Sequence, residues 1–353
     1  MILEIMVLSF SESDKQFRKV GNGCVNFFKM KATTISDVKR GYIWGITSGM
    51  SWGLDTVLIG LIMSTTTFAT STSLLVSGAL VCSFFHDGFA TVWMSLFLTV
   101  KKRIKCLLPK LRTRDGLFCV LGALLGGPIG MSFYMLAIEK AGPAYTATIT
   151  SSYPALGVAL AFIFLHEKLP IRSWLGLIIC ILGVIGVGYE PSAAVAVSST
   201  FFVGILYAVI SALGWALESV VCAYGMKSGN VDPEMALAIR ELSSFVIYAS
   251  FIIPVFCEGY SGVLDVLTSM SVIWLLLTAC VGVFSYLAWY KAIDTIGASR
   301  GVSFNITYSF WAIVFSWIMG NGEFSLKLLG CCLLIIVGVS LAVGKPKDVL
   351  LQT

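Results

Sequence analysis

Charge is what this chain has least of. Acidic and basic residues make up 12% of its 353 positions, about half the share of an ordinary soluble protein. That scarcity excludes a large water-facing surface. Histidine is rarer still, with only His86 and His166. No H-E-x-x-H, G-x-S-x-G or G-x-x-x-x-G-K-[ST] occurs, which excludes the intramembrane enzymes and built-in ATPases that use those motifs. The ten cysteines form no CxxC, and most sit in apolar runs. They read as small polarizable packing residues, with no metal site or cofactor expected. The first residues do not read as a signal peptide: Glu4 interrupts the apolar start, no basic region precedes it, and no small-residue cleavage site follows. Met1 or Met30 could each be the start.

What the chain has instead is apolar length. Hydrophobic residues are 57% of the total, with a mean hydropathy of +0.90. Runs of about 20 residues with little charge are long enough to cross a bilayer as helices. The spans are placed at 41–63, 79–100, 116–138, 144–165, 173–190, 201–224, 234–256, 271–290, 298–319 and 327–344. The Ser/Thr-rich stretch from Ser64 to Gly78 reads as an outer loop or an extension of the second helix. The expectation is an all-α integral membrane protein of ten transmembrane helices.

The basic residues orient it. Seven lie before Gly41 and seven between Lys101 and Arg114. Seven more, Lys168, Arg172, Lys227, Lys291, Arg300, Lys345 and Lys347, fall on the same side. Those 21 of 24 put both termini in the cytoplasm. The basic loop is then a solvated cytoplasmic loop near anionic lipid, and no nucleic-acid partner is expected.

An internal repeat divides the chain. Ala137, Ile138, Gly142, Tyr153 and Gly183 recur 155 positions later as Ala292, Ile293, Gly297, Tyr308 and Gly338, and Gly127 recurs as Gly282. Ser48, Trp52, Leu54 and Asp55 match Ser211, Trp215, Leu217 and Glu218 at a spacing of 163. His86–Asp87 aligns with Arg240–Glu241 at 154, which puts about nine extra residues near Ser64–Gly78. The domains read as a cytoplasmic tail 1–40, a first repeat 41–190, a second repeat 201–345 and a tail 346–353. Five helices per repeat is an odd number, so the copies insert as inverted repeats. That is the architecture of secondary transporters, with the substrate at the repeat interface.

The segments A-I-E-K-A-G-P-A-Y (137–145), S-S-Y-P-A-L-G (151–157) and F-L-H-E-K-L (164–169) resemble the EamA repeat of the drug/metabolite transporter superfamily. A-I-D-T-I-G (292–297) and N-G-E-F (321–324) resemble its second copy. The resemblance covers about 41–345. It implies ten helices, cytoplasmic termini in the cell membrane, and export or exchange of small metabolites such as amino acids. The chain departs from that pattern at His86–Asp87, where an apolar-flanked arginine is more usual, and in its longer first connection.

Charges inside the apolar runs are candidates for a cavity, because lipid exposure costs about 2.5–3.5 kcal/mol each on insertion scales. They are Asp55, His86, Asp87, Glu218, Arg240 and Glu241. The bland alternatives are helix ends near the interface and ion pairs that lock packing. Trp52, Tyr134, Tyr153, Trp215, Tyr286, Trp289, Asn305 and Tyr308 could line the same cavity; the alternative is packing or interface belts. Pro154 is expected to bend the fourth helix. Glycines at 41, 45, 49 and 53, and at 122, 126 and 130, form small-xxx-small stripes for close packing. The functional expectation is a secondary transporter, an exporter or exchanger of a small organic metabolite by alternating access. The partners are a small-molecule substrate and the lipid bilayer, with protons as an open coupling choice and a monomer or homodimer as the assembly. The alternatives are a passive facilitator or channel and an intramembrane enzyme.

Overall fold

The computed structural model describes residues 34–141, 146, 149–150, 152–166, 170–188, 201–257, 259–320 and 326–343. The tails at 1–33 and 346–353 and parts of the family-like segments at 142–145, 167–169 and 321–324 lie outside that set.

The described residues with regular structure are helical. In order they are α1 (Ile35–Met63), α2 (Thr72–Val100) and α3 (Arg114–Leu124, Leu125–Met131 and Ser132–Ala141). Then come α4 (Tyr153–Leu160 and Ala161–Leu165), α5 (Ile171–Gly188) and α6 (Phe201–Met226). The last four are α7 (Pro233–Ile247, Tyr248–Ile252 and Ile253–Phe256), α8 (Ser271–Ile296), α9 (Ala298–Asn305 and Tyr308–Ile318) and α10 (Leu326–Val343). Among the described residues, seven helices are long and apolar enough to cross a membrane. Tyr153–Leu165, Ile171–Gly183 and Gly330–Val343 are shorter apolar helices.

Helix starts are capped by the local sequence. Thr34 and Asp37 form a reciprocal capping box at α1. Thr113 accepts from the Gly116 amide at α3, and Asp232 from the Met235 amide at α7, where Pro233 occupies the first turn. Three helices carry π-helical turns, at Leu125–Met131 with Pro128 inside, at Ala161–Leu165 and at Tyr248–Ile252. Pro154 lies in the first turn of its helical segment. A turn at Ser152 separates that segment from the helical residues 149–150, so the fourth span is interrupted beside Pro154. The extra residues near Ser64–Gly78 form a short helix, Thr66–Thr70, and the first turn of α2, which starts earlier than expected. Further short helices, Leu107–Leu111 and Ser261–Leu267, sit between spans.

Polarity is turned inside out. Val92 and Leu96 of α2, Ile178 and Leu182 of α5, and Ile273 and Leu277 of α8 are exposed, whereas Asp55, Glu218, Arg240 and Glu241 are buried. That arrangement suits a lipid surround. Lys291 and Arg300, read from sequence as cytoplasmic, are also buried. The Arg300 Nε donates to the Val343 carbonyl at 3.2 Å, and the Lys291 ammonium lies 4.7 Å from the centre of the Trp44 ring. Charge counting places a residue on one side of the membrane but says nothing of where its head group turns at a helix end. Among the described residues eight cysteines are free, and Cys106 is disulfide-bonded, which the packing reading did not expect.

The packing repeats itself. α1 lies against α8 and α9, as α6 lies against α3 and α4. α2 meets α8 as α7 meets α3, while α2 meets α7 and α5 meets α10. Exchanging helices 1–5 with 6–10 leaves this pattern unchanged. The glycine stripes make the close contacts. A Cβ at Gly45 would come within 2.5 Å of Phe304, and one at Gly53 within 2.8 Å of the Tyr308 carbonyl, so the first stripe seats α1 on α9. Gly122 and Gly130 face Cys222 and Trp215, so the second seats α3 on α6. Gly176 and Gly338 face each other's helices between α5 and α10. Gly297, at φ +90°, joins α8 to α9 with no intervening linker, in a conformation that side chains rarely adopt.

Candidate functional site

The acid of α1 and the acid of α6 come from matching places in the repeat, yet their surroundings differ. Asp55 and Glu218 are buried in mid-helix, away from the helix ends where a headgroup position would put them. Glu218 accepts a hydrogen bond from the Arg240 Nε at 3.1 Å. Asp55 lies 3.4 Å from the His86 Nε2, and the His86 Nδ1 lies 3.4 Å from Asp87.

Arg240 of α7 is the hub. Its Nη1 donates to Glu241 at 2.9 Å and to Asp87 at 3.4 Å, and its Nη2 to the Tyr286 hydroxyl at 3.1 Å. Its guanidinium also lies over the Tyr286 ring, 4.4 Å from the centroid. The planar fork lets one side chain serve three carboxylates and an aromatic, which lysine cannot do. Asp87 takes a further hydrogen bond from Ser244 at 2.5 Å. One charge network thus joins α2 of the first half to α6 and α7 of the second.

Glycine makes room for these carboxylates. A Cβ at Gly126 would lie 1.7 Å from a Glu218 oxygen. One at Gly127 would meet Ser244 at 2.3 Å, and one at its repeat partner Gly282 would meet His86 at 2.3 Å. The π-helical turn at Leu125–Met131 carries Gly126 and Gly127 and presents their carbonyls: the Trp215 Nε1 donates to the first at 3.0 Å and the Tyr248 hydroxyl to the second at 3.5 Å. π-Bulges recur at functional sites because they free and redirect such groups.

These residues surround a cavity of about 270 Å³. All the candidate residues named from sequence line it except Glu241, which sits behind Arg240: Trp52, Asp55, His86, Asp87, Tyr134, Tyr153, Trp215, Glu218, Arg240, Tyr286, Trp289, Asn305 and Tyr308. The sequence reading missed Ser285, Cys82, Ser83, Met131 and Met135 in the lining, and Ser244 behind it. Gly126 and Gly127 were legible only as packing glycines. Their G-G-P run was the available signal of an interrupted helix.

The aromatics form two groups related by the repeat. Trp52 meets Tyr286 edge-on at 4.9 Å, and Tyr286 meets Trp289 at 5.8 Å. Opposite in the repeat, Trp215 meets Tyr134 at 5.3 Å and Tyr153 at 5.8 Å. Trp52 corresponds to Trp215, and Trp289 to Tyr134 at the 155-residue spacing. The Tyr153 hydroxyl donates to the Asn305 carbonyl oxygen at 2.6 Å, tying α4 to α9.

The cavity reaches toward one end of the bundle. Its lining runs along α1 from Trp52 to Met63, along α2 from Ala79 to Asp87, and along α3 from Gly126 to Met135. These are the halves away from the ends where α1 and α3 begin. At that beginning end, beyond the lining, ion pairs join the two halves. Lys101 donates to Glu234 at 2.9 Å, and Arg103 donates to Glu234 at 3.0 Å and to Asp232. Lys291 stands 3.8 Å from Glu234. Burial disfavours the charge on Arg103, but Asp232 and Glu234 outweigh it and hold its proton more firmly than usual.

The family model of the EamA-like transporter family matches residues 39–189 and 202–344. The chain is 26% identical over 303 residues to Protein LicB of Haemophilus influenzae, covering 85% of this chain and 96% of that one. It is 24% identical over 266 residues to a WAT1-related protein of Arabidopsis thaliana, covering 68% of this chain and 72% of the other. A solved crystal structure superposes with a TM-score of 0.65 at 16% identity, over 86% of this chain and 96% of that one. At that identity the likeness concerns the fold.

Proposed function

Because the chain belongs to the EamA-like transporter family, we propose that it is a secondary transporter that moves a small organic metabolite through the central cavity by alternating access. It is a multi-pass membrane protein with apolar spans. In our reading the three shorter apolar helices also cross, giving ten spans in two inverted five-helix repeats, 41–190 and 201–345. Both termini then lie in the cytoplasm, and export or exchange across the cell membrane is the direction assigned.

The observation that carries the reading is the cavity, built by both halves, whose lining lies toward one end of the bundle while ion pairs tie the two halves at the other. A pore would need a path at both ends. At about 270 Å³ the cavity falls just below the range of about 300–1,000 Å³ usual for drug-sized ligands. That size favours a small metabolite. Asp55, whose contact in the charge network is His86, is the acid best placed to change partner when substrate or proton enters.

The test is counterflow in liposomes holding the purified protein. A carrier loaded on one side accelerates uptake of labelled substrate from the other, and its flux saturates; a pore gives flux linear in concentration. Asp55→Asn should insert normally and lose about tenfold or more in transport, the effect of about 1.4 kcal/mol. Coupling to protons predicts that a pH gradient drives flux only in the unsubstituted protein. Linear flux without counterflow would overturn the carrier reading.

A further inference from the structure

We propose that the exposed basic face of Lys101–Arg114, the segment joining α2 to α3, is a binding site for anionic phospholipid headgroups, preorganised by the ion pairs behind it. The site lies outside the cavity, and the inference does not depend on what the cavity carries.

The segment divides its charges between two directions. It holds seven cations and no acid. Three are turned inward: Lys101 and Arg103 to Glu234 and Asp232, and Lys110 to Asn230. Four are exposed: Lys102, Lys105, Arg112 and Arg114. Among the described residues no carboxylate forms an ion pair with any of those four. Asp115, next in the chain, is held by Ser228 and Asn230 instead. Each unneutralised cation beside an anionic leaflet contributes about fivefold in affinity.

Position fixes the source of the anion. α2 reaches the segment through exposed Leu96 and Val100, and α3 leaves it through exposed Leu117 and Leu121. Apolar side chains exposed on two spans mark surface that suits lipid. All four free cations lie within five residues of Val100 or Leu117. There a long basic side chain lays its stem along apolar surface and lifts its head to the phosphates. The short helix Leu107–Leu111 buries Leu107 but exposes Leu108, at 61%, between the two basic pairs. A leucine there can enter acyl chains, as interfacial segments do, and has no use in a site for free phosphate. The two arginines add forked donors that match phosphate oxygens.

The ion pairs behind the face set its shape. Lys102 lies between Lys101 and Arg103 in a left-handed turn at φ +55°, a conformation lysine rarely adopts. Both neighbours are anchored on the start of α7, which holds the turn in place and Lys102 exposed. A headgroup that binds this arrangement better than a released one stabilises the ion pairs in return.

The test is lipid binding to the purified full-length protein in detergent, titrated by native mass spectrometry, with thermal melting as a second readout. Phosphatidylglycerol should bind at least about tenfold more tightly than phosphatidylcholine of the same chains and should raise the melting temperature more. Added sodium chloride should weaken only the first lipid. Lys102→Gln with Lys105→Gln should cost phosphatidylglycerol about tenfold or more. Lys39→Gln with Arg40→Gln, which removes two exposed cations of α1, should cost no more than about threefold. Glu234→Gln separates a built site from diffuse attraction. It adds net positive charge, which strengthens a diffuse attraction, but it loosens a preorganised site and should weaken binding about threefold. Glycerol 3-phosphate, an anion without acyl chains, should not displace the lipid. Equal binding of the two lipids, equal losses in the two paired variants, displacement by glycerol 3-phosphate, or tighter binding in Glu234→Gln would each overturn the inference. The two-lipid and salt measurements need no variant, so they decide the matter even where a substituted protein does not fold.

Discussion

Glu218 and Asp55 match in sequence but keep different company, and the difference comes from one residue. Arg240 binds Glu218, Glu241 and Asp87 together, whereas Asp55 contacts His86. Removing the arginine would leave Glu218 and Glu241 without their ion-pair partner, while Asp87 keeps Ser244 and His86. Breaking a buried pair by deleting one partner typically costs about 3–5 kcal/mol, because the other charge is left uncompensated. Arg240→Met should therefore lose most of its stability in detergent, seen as a large drop in melting temperature. Arg240→Lys should fall between, since a single ammonium cannot span the same acids. Adding Glu218→Gln to Arg240→Met should recover part of the loss. If Arg240→Met melts like the unsubstituted protein, the network is not what holds α2, α6 and α7 together.

Helix contacts at the cavity depend on glycine as much as on charge. α3 approaches α6 so closely that a methyl group at Gly126 would overlap the Glu218 carboxylate. Gly126→Ala should lower the melting temperature and disturb the Arg240 network in one step. Gly60→Ala, where nothing lies within 4 Å, should be neutral or stabilise by up to about 1 kcal/mol through helix propensity. Similar melting for the two variants would mean that α3 shifts freely. The stripe containing Gly126 was visible in sequence because a four-residue spacing keeps its glycines on one face. The charged positions were visible for a different reason, since a charge in an apolar run must face protein or a cavity. Glu241 shows the limit of that argument: charge says a residue turns inward, but not whether it lines the cavity or stands behind a neighbour. The π-helical turns were not legible, because one extra residue per turn barely alters hydropathy. The helix at Thr66–Thr70 was legible only as an insertion, from the slip of the repeat spacing from 163 to 154.

At the scale of the whole molecule, the two ends of the bundle are fastened unequally. At the ion-paired end, Glu234 receives Lys101 and Arg103, with Lys291 beside it, and Asp232 receives Arg103. These contacts join the end of α2 to the start of α7 and the end of α8, so they link one half of the chain to the other. At the opposite end the corresponding ties are hydroxyls: Ser71 and Ser73 donate to Asp265, and Thr65 lies 3.3 Å from Ser271. At the first end both partners of each tie are charged and several ties share one acid, whereas at the second a single acid meets uncharged hydroxyls, so the first end is held by the stronger network. The unequal fastening favours the state in which the cavity reaches the hydroxyl-tied end. Opening the other way must separate the ion pairs. Glu234→Gln removes the negative charge that the three cations share and should shift the balance toward that second state. Loss of about 1.4 kcal/mol of differential stability would change the ratio of states tenfold. Cys222 is a suitable reporter: it is buried on α6, between the cavity and the ion-paired end, with its thiol 3.1 Å from the Tyr290 hydroxyl. In a background with the other cysteines replaced, maleimide labelling of Cys222 from the ion-paired side should rise about tenfold in Glu234→Gln. Labelling that stays the same in Glu234→Gln would mean that these ion pairs hold the fold but do not set which end opens.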